Sequence, residues 1–265
     1  YNQPPIPHGN TKIKKIDQEK LKKGEKLLVI TEQGLGDTLQ YMRYIPYLKS
    51  KGLDISFCAQ IKLHTLIQAS GIDENPLTPE QANKVSDGKW IPLLSLPKYL
   101  EVNPKNPIIS KPYIFSTNEL IKKWKKILSI EKGPIIGINW QGNPNGEKNS
   151  YKGRSLLLET FSNIAQITNL KFVSLQKGFG SEQLAECSFK DKFVTCQKEI
   201  DQIWDFLEIS AIIYNCDLII TSDTSVAHLA GGMGKKTWLL LKNVPEWRWG
   251  VDTDKSFWYP SMRLF

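Results

Sequence analysis

The chain is poor in the residues that form disulfide frameworks and metal centres. Its 265 residues include only four cysteines and three histidines. No Cys-x-x-Cys spacing occurs and the histidines are isolated from one another, so the sequence predicts no metal site. Cys58 and Cys216 adjoin apolar, strand-like segments. We therefore expect buried thiols rather than disulfide partners, as suits a reducing cytoplasm.

Long apolar runs are missing as well. No stretch reaches the roughly 18 apolar residues of a membrane-spanning helix, and no secretory signal is visible. We expect a cytoplasmic protein without a transmembrane segment. The chain opens with Tyr1 rather than Met. We therefore expect that it is a fragment, to which a further domain could belong.

Basic residues outnumber acidic ones, which gives a formal net charge of +8. Much of the excess lies in lysine-rich segments at 12–26 and 122–126. Such faces are usually only solvated. No nucleic-acid-binding motif accompanies them, so we expect no nucleic-acid partner. A basic surface would also suit an anionic nucleotide, or peripheral contact with an anionic membrane.

Strand-like and helix-like segments alternate in two runs. After a polar arm at 1–25, the first run predicts strands at 27–31, 53–58 and 90–93, and helices at 37–50, 61–70 and 117–130. A break at 131–134 separates the two runs. The second run predicts strands at 135–139, 170–175, 217–221 and 236–241, and helices at 155–168, 180–187, 201–215 and 224–232.

This alternation is typical of parallel sheets with helices on both faces. The sequence therefore predicts an α/β fold with two Rossmann-like domains, 26–131 and 132–250, that face a cleft. The tail at 251–265 is rich in aromatic residues, and we expect it to pack back toward the first domain.

A glycine-bearing loop joins the first predicted strand to the first helix. Gly34 and Gly36 allow a sharp turn and a close approach to a ligand, and Asp37 follows them. Two interpretations of Asp37 stay open. It is either the N-cap of the helix or a general base at the carboxyl edge of the sheet. A dinucleotide fingerprint is excluded, because it would require glycine in place of Leu39.

Polar loops follow three strands of the second run. In a parallel sheet these loops emerge at the same edge, where cations and the free amides of a helix N-terminus would form a phosphate site. The candidate donor-binding residues of these loops are Lys152, Arg154, Lys177, Asp223, Thr224, Ser225 and His228. Each loop alone is equally typical of a polar turn with an N-cap at Ser222 or Asp223, and His228 alone is typical of a satisfied helical histidine.

Six motifs occur together, in an order that resembles a known family. They are Glu32-Gln-Gly-Leu-Gly-Asp-Thr-Leu-Gln40 with Arg43-Tyr44, Gly137-Ile-Asn-Trp-Gln-Gly-Asn143, Arg154-Ser155, Ser174-Leu-Gln-Lys-Gly178, Asp223-Thr-Ser-Val-Ala-His-Leu-Ala-Gly231, and Trp247-Arg-Trp249 with Trp258-Tyr-Pro260. The combination resembles the glycosyltransferase-like domain that follows tetratricopeptide repeats in many bacterial proteins. That domain is similar to the heptosyltransferase (family 9) glycosyltransferases and, more distantly, to the protein O-GlcNAc transferase catalytic region.

The resemblance implies a GT-B fold and an inverting, metal-independent transfer of a sugar from a nucleotide-diphosphate donor, without a cofactor. It implies that Asp37 is the catalytic base. It also implies that Lys152, with Arg154 nearby, binds the donor phosphates, and that the segment 223–230 binds the donor sugar and diphosphate.

The acceptor stays open between a glycan, a lipid and a protein. The chain departs from heptosyltransferases in two respects: Ser225 replaces a glycine, and the first domain is short. The alternative function is a binding module that holds a nucleotide-sugar or a glycan without turning it over.

Overall fold

The structure is a computed structural model that describes residues 7–17, 19–109, 111–147 and 152–265. The chain divides into two compact units, Tyr1–Phe115 and Ser116–Phe265. Each unit contains one parallel β-sheet, as the alternation of strands and helices predicts.

The first unit contains a four-stranded sheet in the order β1-β4-β2-β3. Its strands are β1 (Lys14–Lys15), β2 (Lys26–Ile30), β3 (Asp54–Cys58) and β4 (Lys89–Pro92). Its helices are α1 (Leu35–Tyr41), α2 (Tyr44–Ser50), α3 (His64–Ala69), α4 (Pro79–Ala82) and α5 (Leu96–Tyr99). The central strand β2 is buried from its second residue to its last, which explains its unbroken apolar sequence.

The second unit contains a five-stranded sheet in the order β6-β5-β7-β8-β9. Its strands are β5 (Ile135–Asn139), β6 (Lys171–Ser174), β7 (Leu218–Ser222), β8 (Thr237–Leu240) and β9 (Met262–Leu264). Its helices are α6 (Asn118–Leu128), α7 (Pro144–Glu147), α8 (Ser162–Ala165), α9 (Gln197–Asp201), α10 (Phe206–Asn215) and α11 (Ser225–Gly232).

Four predicted helices differ from the observed structure, and the one predicted at 201–215 begins only at Phe206, as α10. The helix predicted at 37–50 is divided into α1 and α2, and Pro46, which lacks a backbone N–H, lies in the first turn of α2. The helix predicted at 155–168 is replaced by the 3-10 turn Leu158–Phe161 and the single turn α8. Side chains three residues apart eclipse in a 3-10 turn, so Leu158 and Phe161 both reach the core without a long helix. The helix predicted at 180–187 is the 3-10 turn Ser181–Ala185.

The boundary between the units differs from the predicted break at 131–134. Helix α6 belongs to the second unit, where it packs against α10. Trp124 of α6 is fully buried, and its indole Nε1 donates to Glu208 Oε1 of α10 at 3.0 Å. An amphipathic sequence identifies the buried face of a helix but not the element that covers it. The sequence therefore predicted this helix without indicating its unit.

Both ends of the chain also differ from expectation. The arm predicted at 1–25 supplies β1 to the first sheet, and His8 N donates to Thr31 O at 2.8 Å beside the end of β2. The tail completes the second sheet, because β9 pairs in parallel with β8; the expected packing of the tail toward the first domain stays a prediction. Residues 1–6 of the arm lie outside the described residues.

The position of α6 gives a test of the unit boundary. A fragment of residues 116–265 should unfold cooperatively, because it keeps the contact between α6 and α10. A fragment of residues 132–265 should be far less stable, since it exposes the face of α10 that Trp124 covers; loss of a buried tryptophan alone typically costs about 3–5 kcal/mol. Circular-dichroism melts of both fragments are the measurement. Equal melting temperatures would contradict the observed boundary.

Candidate functional site

A buried network of amide side chains connects the three polar loops of the second unit. Asn139, the last residue of β5, donates from Nδ2 to Gln176 Oε1 at 2.8 Å. Its Oδ1 accepts from Thr224 Oγ1 at 2.7 Å. Gln176 also donates from Nε2 to Gln141 O at 2.9 Å. The loops after β5, β6 and β7 therefore meet at one edge of the sheet, as the parallel topology predicts.

Thr224 is the N-cap of α11. Its Oγ1 accepts from Val226 N at 3.3 Å while its hydroxyl hydrogen is directed to Asn139. The N-cap predicted at Ser222 or Asp223 is thus displaced by one or two residues, because only the Thr224 hydroxyl satisfies the helix amide and the network together. Ser225 begins the helix. The first amides of α11 are directed toward this edge, as a phosphate site requires.

Arg154 lies against the same edge. Its Nη1 donates to Asp223 O at 3.3 Å, and its Nε lies 3.4 Å from Glu147 Oε1. Glu147 also accepts a hydrogen bond from the Ser155 hydroxyl. The guanidinium packs closely on Gly142. A Cβ at residue 142 would lie only 2.4 Å from Arg154 Nη2. The structure thus brings together Arg154 and Asp223, as the sequence predicted.

The two lysines predicted for the donor site have different surroundings. Lys152 is exposed. Lys177 donates from its ammonium group to Ile200 O in α9. Burial lowers the pKa of Lys177, and the charge of Asp201 opposes that shift. Lys177 therefore serves the packing of α9, which makes it the weakest of the predicted phosphate ligands.

His228 is a residue of α11 that is 3% exposed and lies in a buried polar cluster. Its Nδ1 lies 2.9 Å from Tyr259 Oη, and its Nε2 lies 3.5 Å from Arg248 Nη1. A guanidinium can only donate, so Nε2 accepts, and Nδ1 carries the proton that it donates to Tyr259. Trp249 stacks on the imidazole at a centroid distance of 5.3 Å. These contacts match a satisfied helical histidine.

Arg248 and Tyr259 are further members of this cluster, which the sequence did not predict. Arg248 is buried, and its Nε donates to Glu246 Oε2 at 2.7 Å. Tyr259 packs on Gly231 of α11, where a Cβ would lie 2.6 Å from the ring. An arginine between two tryptophans was the available signal. Burial raises the pKa of the nearby Asp223 carboxyl, against the charges of Arg248 and Arg154.

In the first unit, the glycine loop starts α1 differently from the expectation. Gly34 is the N-cap, with φ at −82°, and Gly36 lies inside the helix. Asp37 is therefore the third helical residue rather than the N-cap, and its Oδ2 accepts from Gly34 N at 3.0 Å. This is the reciprocal half of a capping box. The left-handed backbone conformation belongs instead to Gln33, with φ at 64°.

Glu32 is a second buried acid in this loop that the sequence analysis did not single out. It is 2% exposed, and its Oε2 has no hydrogen-bond partner among the described residues. Burial raises the pKa of Glu32 to about 7; the charge of Lys15 and the N–H of Leu94 oppose the shift, and the charge of Asp37 adds to it. An acid placed between an apolar strand and a glycine loop was the signal available in the sequence.

The described residues fit the expectations for cysteine. Cys58 and Cys216 are buried free thiols, and burial raises the pKa of each to about 12.

Within the described ranges, no three histidine, cysteine, aspartate or glutamate side chains are grouped as metal ligands. Among the helices of those ranges, none has the length and apolar character needed to cross a membrane.

Comparison with known proteins gives distant likenesses. No family model matches the chain. Protein FlbA of Caulobacter vibrioides is 23% identical over 273 residues, which cover 92% of this chain and 43% of FlbA. The chain thus spans less than half the length of the curated relative that it matches.

Solved structures of family 9 glycosyltransferases share the fold. The family 9 glycosyl transferase from Veillonella parvula matches with a TM-score of 0.58 and 12% identity, over 92% of this chain and 86% of that chain. The E. coli ADP-heptose lps heptosyltransferase II matches with a TM-score of 0.50 and 11% identity, over 91% and 90%. The iron-containing dodecameric glycosyltransferase TibC of E. coli matches with a TM-score of 0.50 and 12% identity, over 84% and 59%. At these identities the likeness shows an α/β fold with parallel sheets.

The raised pKa of Glu32 predicts a pH dependence of stability. The unfolded chain loses this proton near pH 4.5 and the folded chain near pH 7, so between them the folded state binds more protons. Raising the pH through this window should therefore lower the free energy of unfolding, by up to about 3 kcal/mol. Glu32→Gln should abolish this component.

Urea unfolding of the wild type and Glu32→Gln at several pH values between 4.5 and 8 measures the difference. Glu101→Gln is the matched control, because Glu101 is exposed and pairs only with Lys20 at the surface. A stability difference between the wild type and Glu32→Gln that does not change with pH would contradict the prediction.

Proposed function

We propose that the chain is an inverting glycosyltransferase that moves a sugar from a nucleotide-diphosphate donor to an acceptor hydroxyl. The observation that carries the proposal is the carboxyl edge of the second sheet. There Arg154 donates to Asp223 O, and the adjacent N-cap of α11, Thr224, is held by Asn139. A cation beside helix-end amides suits a diphosphate. The shared fold of family 9 glycosyltransferases supports the same conclusion.

In this proposal the second unit binds the donor. The amides of Thr224 and Ser225 and the guanidinium of Arg154 bind the diphosphate, and the exposed Lys152 adds long-range attraction. The Asp223 carboxyl, which lies on the loop that leads into α11, contacts the donor sugar. His228 lies within α11, and its contact with Tyr259 stabilises the position of the helix. Transfer needs no divalent ion, since the cation and the amides stabilise the leaving diphosphate.

Asp37 of the first unit is the proposed general base. The acceptor O–H proton moves to its carboxylate as the acceptor oxygen bonds to the anomeric carbon. The bond between that carbon and the diphosphate oxygen breaks, and the electron pair leaves with the diphosphate. Asp37 Oδ2 accepts from Gly34 N, which holds the carboxylate at the start of α1. The acceptor class, a cytoplasmic location and tetratricopeptide repeats in a longer protein stay predictions.

One observation favours the alternative, a binding module without turnover. The contact of Asp37 with Gly34 N serves the start of α1 whether or not chemistry occurs. In that case the second unit would still bind a nucleotide-sugar, and the first unit would contribute no proton acceptor. Donor binding and sugar transfer therefore have to be measured separately.

Donor binding is tested at Arg154. Arg154→Ala should weaken the binding of nucleoside diphosphates by about 1.5–3 kcal/mol, the usual contribution of a hydrogen bond to a charged group. Arg263→Ala is the control, because this arginine lies on the exposed part of β9, near Asp254. Isothermal titration with ADP, GDP and UDP gives the affinities. Equal affinities in the two variants would place the diphosphate elsewhere.

Catalysis is tested at Asp37. In Asp37→Asn the amide oxygen can still accept from Gly34 N, so the melting temperature and donor affinity should change little. Sugar transfer should fall by roughly 10²–10⁴-fold, the usual loss when acid–base catalysis is removed. Asp54→Asn, at an exposed position, should leave transfer unchanged. Undiminished transfer by Asp37→Asn would refute the base assignment. Failure of the wild type to transfer any sugar that it binds, across a broad acceptor panel, would favour the binding module.

A further inference from the structure

Phe179 is an exposed aromatic residue on a rigid loop beside the proposed donor site. It follows β6, and 56% of the residue is exposed. A single exposed aromatic ring is ordinary on a protein surface. The backbone that presents this ring is not ordinary, because both neighbours, Gly178 and Gly180, adopt left-handed conformations with φ at 65° and 87°. At Gly180 a Cβ would also lie 2.6 Å from Gln141 Oε1, so a side chain there would strain the turn and displace Gln141.

Three side-chain donors fix the successive carbonyl groups of this turn. The Ser181 hydroxyl donates to Gly178 O at 2.7 Å. Gln176 Nε2 donates to Phe179 O at 2.6 Å. The buried Trp140 indole donates to Gly180 O at 3.2 Å. A loop held at each carbonyl loses little conformational entropy when a ligand binds to it.

The same interactions connect Phe179 to the N-terminus of α11. Gln176 holds Phe179 O with one end of its amide group and accepts from Asn139 with the other. Asn139 in turn accepts from Thr224, the N-cap of α11. Strands β6 and β7 lie on either side of β5, so their ends are separated by about 10 Å, two strand spacings. A nucleoside diphosphate can span that distance from its base to its phosphates.

We propose that Phe179 is the nucleobase platform of the donor site. Its ring stacks on the base of a nucleotide diphosphate whose phosphates lie at the N-terminus of α11. Stacking depends on the π-face that every base has, so the platform binds purine and pyrimidine nucleotides alike. The inference rests on the proposed function, because it assumes that the diphosphate lies at this edge. A ligand without a base gains nothing from the ring.

The test compares ligands with and without a base. Isothermal titrations of the full chain use ADP, UDP and inorganic pyrophosphate on the wild type and on Phe179→Ala. We expect Phe179→Ala to weaken ADP and UDP binding by about 5- to 50-fold, in line with the loss of one stacking partner. The affinity for pyrophosphate should be unchanged. Phe179→Tyr, which keeps an aromatic ring, should retain nucleotide binding. Trp204→Ala, which removes another exposed aromatic ring of the same unit, should have no effect.

The outcomes separate this inference from the proposed function. If Phe179→Ala leaves nucleotide affinity unchanged, or weakens pyrophosphate as much as ADP, the platform is refuted while the diphosphate site stands. If the wild type binds none of the three ligands, the proposed donor site fails and the platform fails with it. Melting temperatures of all variants show whether a loss reflects unfolding, which we do not expect at an exposed side chain.

Discussion

The organisation of the candidate site depends on the hydrogen bonds of one buried side chain, Asn139. A buried amide group must have partners for its donors and its acceptor, since an unpaired one costs about 1–3 kcal/mol. Asn139 meets this requirement with Gln176 on one side and Thr224 on the other. Those partners lie on loops that follow different strands, so satisfying the amide fixes the loops relative to each other. The start of α11 and the turn that presents Phe179 both depend on this constraint.

The first unit solves a related problem in a different way. Its loop buries two carboxyl groups, those of Glu32 and Asp37. Asp37 is stabilised by a backbone amide at the start of α1, which also favours negative charge. Glu32 lies before the helix, and burial raises its pKa to about 7. The two carboxyl groups of one loop thus have different local surroundings: Asp37 accepts from a backbone N–H, whereas burial dominates the surroundings of Glu32.

The sequence predicted the strands β2 to β8 to within a residue at each end, because most are short apolar runs, but it did not predict the edge strands β1 and β9. It also predicted that the polar loops meet, since parallel topology requires it. It could not predict the unit to which α6 belongs, or the pairing of β9, because both depend on long-range contacts. The sequence also could not distinguish the roles of Arg154 and Lys177. Their charge is visible in the sequence, but the partner of each is set by packing, at Asp223 and Ile200 respectively.

The central claim is that a nucleotide diphosphate binds at the carboxyl edge of the second sheet. The most direct measurement is the change in backbone amide NMR shifts when ADP or UDP is added to the whole chain. We expect the largest changes at Thr224 and Ser225, the amides at the start of α11, with further changes at Gly142 and Gly180. Shift changes that spare α11 and its neighbouring loops, despite measurable binding, would contradict it.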